Sequence, residues 1–321
     1  MITLEWVYVF AGLVFAAFAA LSVRDPENPK RLKNAAFWGL LAVSFLFGSC
    51  VGDLGNGLLV IGLAMLAGFG GLGQGKPATT GPEERQASAE RRGNALFLPA
   101  LIIPAVALIG TLWLNEVEIG GRPLFDAKDP TLIALGLGVA LALVAGVLWL
   151  RPPVLAPLQE GRRLMDGVGW AAILPQMLAS LGAVFLLAGV GDQVGRLISE
   201  YVPLDGRLIA VIAYCVGMAA FTFIMGNAFA AFPVMTAAVG LPFLVARFGG
   251  DPAIVCAIGM LAGFCGTLTT PMAANFNVVP ANLLELPDRN APFNGVIRAQ
   301  IPTAVLLLIG NIVLMYSLAF R

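Results

Sequence analysis

Long apolar stretches alternate with short polar ones along the 321-residue chain. A helix needs roughly 20 apolar residues to cross a bilayer, and eight uninterrupted stretches approach that length. They are residues 4–21, 35–51, 55–71, 96–114, 131–150, 168–190, 208–225 and 301–320. Interrupted apolar segments fill the interval between the last two. The pattern predicts an all-α, polytopic membrane protein with about 8–10 transmembrane helices.

One interruption divides an uncharged run of about 40 residues, which would be roughly 60 Å long as a helix and so too long for one span. Gly226 and Asn227 lie between its halves, where Gly permits a tight turn and Asn can cap the next helix. We predict a re-entrant hairpin over residues 226–246. Its tip, Gly226, Asn227 and Ala228, would offer helix N-terminal N–H groups to an anion. The alternative is a tight helical hairpin that binds nothing.

The other interruption begins where Pro271 should end a helix, because proline lacks an N–H group and disfavours helix for the residue before it. We predict a broken helix over residues 252–286. Unwound backbone persists at membrane depth only inside protein or beside a wet cavity, so the segment reads as a binding site. Neutral oxygens that suit Na⁺ or a carboxylate come from Thr267, Thr269, Thr270, Asn275 and Asn277. The alternative is a proline kink whose Thr hydroxyls bond back to the helix.

Composition supports the membrane assignment and excludes several classes of function. Hydrophobic residues make up 59% of the chain and charged residues 12%, whereas a soluble domain carries about 25% charged residues. Net charge is zero and no basic arm is present, so we expect no nucleic-acid partner. The chain has no His, and its four Cys lack metal-ligand spacing, so we expect no resident metal or cofactor.

The sequence lacks the pairs of acidic side chains that an intramembrane enzyme would need. The stretch from Gly189 to Asp192 fits the GxGD pattern of intramembrane aspartyl proteases, but the Tyr-Asp pair that would supply the second carboxylate is missing. We therefore expect no enzyme. Asp53, Asp192 and Glu285 lie near predicted span ends, which leaves no carboxylate at membrane depth to carry protons. This favours Na⁺ coupling or uniport over proton coupling.

Basic residues concentrate in alternate loops, which predicts the orientation. The positive-inside rule places such loops in the cytoplasm and the N-terminus outside. The basic residues of the three loops are Arg24, Lys30, Arg31 and Lys33, then Lys76, Arg85, Arg91 and Arg92, then Arg151, Arg162 and Arg163.

Two polar stretches organise the chain. Residues 73–93, rich in Gly, Pro, Ser, Thr and charge, predict a flexible cytoplasmic linker. Residues 151–167 separate a five-span N-terminal portion, residues 1–150, from a C-terminal transport portion, residues 151–321. Both interruptions fall in the C-terminal portion.

The role of the N-terminal portion has two interpretations. Residues 47–68 faintly resemble residues 221–240, and many transporters contain inverted repeats. The portion is therefore either a degenerate first repeat or a scaffold. Its first apolar stretch has no basic segment before it, which argues against a cleaved signal peptide and predicts a first transmembrane helix.

Three segments of the C-terminal portion carry a family resemblance. Residues 170–191, 224–242 and 259–286 resemble the larger subunit of a two-subunit bacterial 5-oxoproline transporter family. The Gly-Asn hairpin tip and the Thr-Pro broken helix are more distantly similar to the ion transporter superfamily of carboxylate, citrate and gluconate permeases. The resemblance implies an inner-membrane, elevator-type secondary transporter with a companion membrane subunit.

The resemblance also implies roles for particular residues. In that superfamily the hairpin motif and the Thr-Pro motif bind the substrate carboxylate and Na⁺. The matching positions are Gly226, Asn227 and Ala228 in the hairpin and Thr269, Thr270 and Pro271 in the broken helix, with Asn275 and Asn277 following. Superfamily members have two such repeats, whereas this chain shows one clear copy.

The expected function is therefore that of a permease subunit in the bacterial inner membrane. It would move a small carboxylate, which the resemblance implies is 5-oxoproline, by alternating access with Na⁺ symport or uniport. The alternative is a non-transporting membrane subunit that assembles a partner permease.

Overall fold

The computed structural model describes residues 2–69, 71–75, 80–114, 117–119, 122–126, 128–283 and 292–320. The chain separates into two compact units, Met1–Gly169 and Trp170–Arg321. The boundary follows the polar stretch 151–167, whose residues therefore belong to the first unit.

Helices make up most of the described part of the first unit. Two strands of two residues each, β1 (Glu118–Ile119) and β2 (Arg122–Pro123), pair antiparallel in one loop. A 3₁₀ turn, Gly93–Phe97, joins the third and fourth helices. The helices are α1 (Leu4–Val23), α2 (Arg31–Gly68), α3 (Pro82–Arg92), α4 (Leu98–Leu112), α5 (Pro130–Leu150) and α6 (Ala156–Val168).

The second unit is also helical in its described residues. A 3₁₀ turn, Gly169–Ile173, leads into it, and π-helical segments at Thr236–Arg247 and Ala274–Val278 adjoin two of its helices. The helices are α7 (Leu174–Leu187), α8 (Val190–Tyr201), α9 (Arg207–Met225), α10 (Ala228–Met235), α11 (Pro252–Thr269), α12 (Val279–Leu283) and α13 (Pro292–Leu318).

Nine helical segments among the described residues are long and apolar enough to cross a membrane. The prediction of an all-α polytopic membrane protein is therefore confirmed. The segments are Leu4–Val23, Arg31–Gly68, Glu83–Leu112, Pro130–Leu150, Ala156–Leu187, Arg207–Met225, Ala228–Arg247, Pro252–Thr269 and Asn294–Leu318.

The second of these segments, α2, is a helical hairpin and not a straight rod. Gly52 has φ 72° and ψ 175°, a conformation that favours glycine, and it divides the 38 residues of α2 into two arms. The arms run antiparallel, since Lys33 Nζ donates to the carbonyl of Phe69 and Leu40 packs beside Gly62. The sequence predicted two spans here, 35–51 and 55–71, and the two arms correspond to them.

Residues 73–93 differ from the predicted flexible linker, because α3 forms within them. Proline at its first position needs no N–H partner, and Glu83 and Glu84 lie at its positive end. Arg91 and Arg92 lie in its last turn, where the helix dipole favours cations. Composition alone indicated a loop, but the placement of charge relative to the helix ends favours a helix.

Close packing of α9 against α11 positions the interrupted segments. A Cβ placed on Gly266 would lie only 2.2 Å from the Ala219 carbonyl oxygen, and one on Gly259 would lie 2.3 Å from the Tyr214 hydroxyl. Glycine at these positions therefore lets the two helices approach backbone to backbone. Their C-terminal ends, Met225 and Thr269, are the starting points of the two interruptions.

Candidate functional site

The first interruption is a tight turn between α9 and α10. Gly226 adopts the left-handed conformation, with φ 78° and ψ −2°, and its N–H donates a hydrogen bond of 2.7 Å to the Thr222 carbonyl. Asn227 then caps α10, and its Oδ1 accepts a hydrogen bond of 2.7 Å from the Phe229 N–H. Ala228 follows and is fully buried. Each arm, Arg207–Met225 and Ala228–Arg247, is itself long enough to cross a membrane, so length does not require a re-entrant loop.

The second interruption ends α11 at Thr269. Thr270 is extended, with φ −102° and ψ 136°, as expected for a residue that precedes proline. The freed carbonyls find a donor in Asn277, whose Nδ2 lies 3.0 Å from the Thr267 oxygen and 2.6 Å from the Thr270 oxygen. Thr270 Oγ1 accepts from the Met272 N–H at 3.3 Å. The unwound segment is thus held by its own polar groups.

The two interruptions meet within the second unit. A Cβ on Gly226 would lie 2.8 Å from Met272 Cβ and 3.0 Å from the Met272 carbonyl oxygen, so only glycine allows this approach. A cavity of about 10 Å³ lies beside the contact. It is lined by Leu174, Leu178, Gly226, Asn227, Thr267, Ala273 and Phe276.

The cavity combines neutral polar groups with apolar walls. Asn227 and Thr267 supply the polar side chains, while α7 contributes two leucines and the unwound segment contributes Phe276. No charged side chain is among the lining residues. A water molecule needs about 10–15 Å³, so the cavity in this conformation has room for about one water or a small ion.

Three buried oxygens in this part of the unit have no hydrogen-bond partner among the described residues. They are Asn277 Oδ1 and Thr222 Oγ1, whose residues are 0% exposed, and Gln300 Oε1. Gln300 lies beside the cavity, because its Nε2 donates to the Phe276 carbonyl at 3.2 Å. Buried polar atoms are normally paired, so each is an unused ligand position for a cation, a water or a donor group. Thr222 was not among the predicted site residues, although it lies one helical turn before Gly226.

The structure places the predicted site residues in different surroundings. Gly226, Asn227 and Thr267 line the cavity. Thr269 lines a different groove, of about 400 Å³, whose other lining residues belong to α9, α11 and α13. Pro271 is exposed, and the Asn275 side chain lies outside the described residues.

The threonine hydroxyls follow the proline-kink alternative in part. Thr267 Oγ1 donates to the Phe264 carbonyl at 2.7 Å, and Thr269 Oγ1 donates to the Gly266 carbonyl at 2.9 Å. At the hairpin tip, the Phe229 N–H is already satisfied by Asn227. In this conformation the best-placed free groups are therefore the unpartnered oxygens and not the hydroxyls of Thr267 and Thr269 or that amide.

Sequence reasoning missed the apolar side of the cavity. Leu174 and Leu178 are one turn apart near the start of α7, and Phe276 lies in the π-helical segment after the break. None of them differs in type from the many other apolar residues of the chain. Only the packing of α7 against α10 distinguishes these leucines, and Gly182 allows it, since a Cβ there would lie 3.0 Å from the Phe229 carbonyl oxygen.

Comparison with known proteins gives a family relationship for nearly the whole chain. No curated protein and no solved structure matches it. A family model described as "Protein of unknown function (DUF979)" matches residues 5–320, and the chain belongs to that family.

Proposed function

We propose that this membrane protein is a solute-carrier subunit whose binding site forms between the hairpin tip and the broken helix. The observation that carries the proposal is the contact of two interrupted membrane segments, at Gly226 and Met272, beside a cavity with uncharged polar groups. Paired interruptions of this kind are typical of secondary transporters, whose solute sites use unwound backbone and helix ends. The nine candidate spans among the described residues fit a protein that is embedded in the membrane, as such a carrier must be.

The conformation described here corresponds to a closed site. Its cavity of about 10 Å³ is too small for a carboxylate of several atoms. Solute entry would require Met272 to move away from Gly226, which fits a carrier that opens its site by conformational change. The neutral oxygens of Asn277 and Thr222 would then be available to Na⁺, which we propose as the coupling ion.

We further propose a small monocarboxylate as the solute, with 5-oxoproline as the first candidate. A lactam with one carboxylate requires hydrogen-bond donors and acceptors but no arginine, and it has an apolar ring face. Asn227 and Thr267 provide the polar side of the cavity, and Leu174, Leu178 and Phe276 provide an apolar side. The bacterial inner membrane, a companion membrane subunit and an outside N-terminus belong to the same proposal, and no enzymatic activity is proposed.

Uptake into proteoliposomes tests this function. Labelled 5-oxoproline is offered with and without an inward Na⁺ gradient, using this chain alone and with its companion subunit. Asn227→Ala and Thr270→Ala should abolish uptake while the protein still inserts, whereas Ser199→Ala should transport normally because Ser199 is exposed and bonds only to the Gly195 carbonyl. Unchanged transport in both site variants would contradict the site assignment.

A second candidate function is a non-transporting membrane subunit that assembles a partner permease. The small volume of the cavity favours it, because the described residues leave no solute-sized space where the two interruptions meet. Equilibrium binding of labelled solute to the purified chain separates the two. Specific binding that is lost on changing Asn227 supports the carrier, and its absence with and without Na⁺ supports the assembly subunit.

A further inference from the structure

A buried polar cluster lies in the first unit, remote in sequence from the candidate site. It joins the corner between α1 and α2, the short segment of residues 71–75, here termed the strap, and helix α6. Its side chains are almost completely buried, with exposures between 0% and 7%. They belong to Asp25, Asn28, Asn34, Arg162 and Asp166. Buried ionic and amide groups are costly unless they are paired, so their pairing pattern is informative.

Asn34 holds the strap through both atoms of its side-chain amide. Its Nδ2 donates to the Gly73 carbonyl at 2.7 Å, and its Oδ1 accepts from the Gly73 N–H at 2.9 Å. Asn28 Nδ2 donates a second hydrogen bond to the Gly73 carbonyl, at 3.2 Å. A Cβ on Gly73 would lie 2.2 Å from Asn28 Oδ1, and one on Gly75 would lie 1.9 Å from Asp25 Oδ2. Only glycine allows the strap to lie this close.

Helix α6 is held in the same place by two charged side chains. Asp166 Oδ1 accepts from Asn34 Nδ2 at 2.9 Å and from Trp38 Nε1 at 2.8 Å. Arg162 forms an ion pair of 2.9 Å with Asp25. The charged face of α6 therefore turns into the unit, while Leu155 and Leu164 are exposed.

The two sets of contacts share one residue. Asn34 Nδ2 donates both to Asp166 on α6 and to Gly73 in the strap, and the carboxylate fixes the orientation in which Oδ1 faces the Gly73 N–H. We propose that Asn34 is a coupling latch: Asp166 orients it, and it transmits the position of α6 to the strap. Loss of the contact between Asp166 and Asn34 would therefore also weaken the hydrogen bonds of the strap, although Asp166 itself makes no hydrogen bond to the strap.

The latch connects two polar segments, each of which lies just before another part of the fold. The strap leads towards α3, and α6 is the last helix before the chain enters the second unit. Networks of buried hydrogen bonds couple their members more strongly than separate pairs do. The inference is independent of the proposed transport function, because it concerns the stability of the strap and not a solute.

Hydrogen exchange of the full-length protein in detergent tests the latch, with the Gly73 amide as the reporter. Asp166→Ala should raise exchange at Gly73 by about tenfold or more, because Asn34 loses the charge-assisted bond that orients it. Asn34→Ala should raise it at least as much. Trp38→Phe is the matched control: it removes one bond to Asp166 but leaves Asn34 in place, so exchange at Gly73 should change by less than about twofold.

An increase confined to α6 in Asp166→Ala, with Gly73 exchange unchanged, would overturn the proposal. Asp166→Asn guards against a misfolded variant, since it keeps an oxygen acceptor for both donors and removes only the charge. It should give a smaller increase at Gly73 than the alanine variant, and an unchanged rate in both would also overturn the latch. Exchange in α9 and α11 reports whether each variant remains folded.

Discussion

Asn277 stabilises the broken helix through a single side-chain amide. The carbonyls of Thr267 and Thr270 lie at the end of α11, and Asn277 Nδ2 donates to both, while the Ala273 N–H adds a longer bond of 3.4 Å to the Thr270 carbonyl. Asn277 is 0% exposed, so no bulk water can replace it. Asn227 also supports a helix end, but it supplies one cap at a partly exposed position. We therefore expect Asn277 to contribute more to the free energy of unfolding than Asn227 does.

This difference predicts unequal losses of stability. Asn277→Ala leaves the buried Thr267 carbonyl without a donor and the Thr270 carbonyl with only the 3.4 Å bond from the Ala273 N–H, and it should lower the free energy of unfolding by about 2–3 kcal/mol. Asn227→Ala removes one N-cap and should lower it by about 1 kcal/mol. Unfolding of the purified protein in mixed detergent micelles, followed by circular dichroism, measures both. Equal losses in the two variants would mean that Asn277 has no special role in holding the break.

The individual site residues were only partly predictable. Pro271 and the preceding threonines indicate a break because proline restricts its neighbour and lacks an N–H group, and the helix does end at Thr269. Which hydroxyls face the cavity depends on the rotation of α11, and Thr269 turned out to face another groove. That rotation is set by glycine contacts with α9, which a single sequence does not reveal.

At the scale of elements, one turn occurs twice. Gly93 directly follows α3 and Gly169 directly follows α6, and each is the first residue of a five-residue 3₁₀ segment that leads into a helix with proline near its start. Their backbone angles agree closely, with φ 51° and ψ −136° at Gly93 and φ 59° and ψ −130° at Gly169. Both segments read G-x-A-x-x-L-P. The repeat is inconspicuous in the sequence, because each copy directly follows a polar stretch whose composition is typical of a linker.

Alanine at either turn should be unfavourable. A Cβ would meet nothing within 4 Å at Gly93 or Gly169, so the expected cost is purely conformational, about 1–3 kcal/mol at each. Gly146→Ala is a control of opposite sign: Gly146 lies inside α5 with open space around it, and alanine there should stabilise by roughly 0.5–1 kcal/mol. Thermal unfolding in one detergent compares all three. A neutral Gly169→Ala variant would show that this backbone conformation is not required.

Both segments of the faint internal resemblance, residues 47–68 and 221–240, include the turn of a helical hairpin. Gly52 and Gly226 each follow a phenylalanine by five positions, and each has a positive φ at the turn of a helical hairpin. Their ψ values differ, with 175° at Gly52 and −2° at Gly226. In the later hairpin, the Asn227 side chain also caps the helix that forms the second arm. The later turn is thus the one equipped with side-chain chemistry.

At the scale of the whole molecule, the fold class was predictable and the site was not fully so. Span length and apolar content follow directly from bilayer thickness, which is why the all-α polytopic assignment held. Helix α8 was not foreseen, because its amphipathic pattern falls in a stretch assigned to a loop. The apolar walls of the cavity come from helix packing, and packing depends on partners distant in sequence.

The three basic loops that predicted the topology are brought together in the first unit. Asp25 and Asn34 come from the loop after the first span, Gly73 from the second basic loop and Arg162 from the third. Direct contacts among them require all three to lie on one side of the membrane. The alternation of basic and basic-poor loops led to the same grouping, and the positive-inside rule predicts that this side is the cytoplasm.

Cysteine labelling in cells tests this orientation. In a background without the four native cysteines, Ala87→Cys in α3 should react with a membrane-impermeant maleimide only after permeabilisation, because it lies in a basic loop. Ser199→Cys in α8 should react in intact cells, since three predicted spans separate the two positions and an odd number reverses the side. The opposite pattern would place the N-terminus inside. Labelling of both from one side would mean an even number of crossings between them, and the span assignment of residues 96–190 would then be wrong.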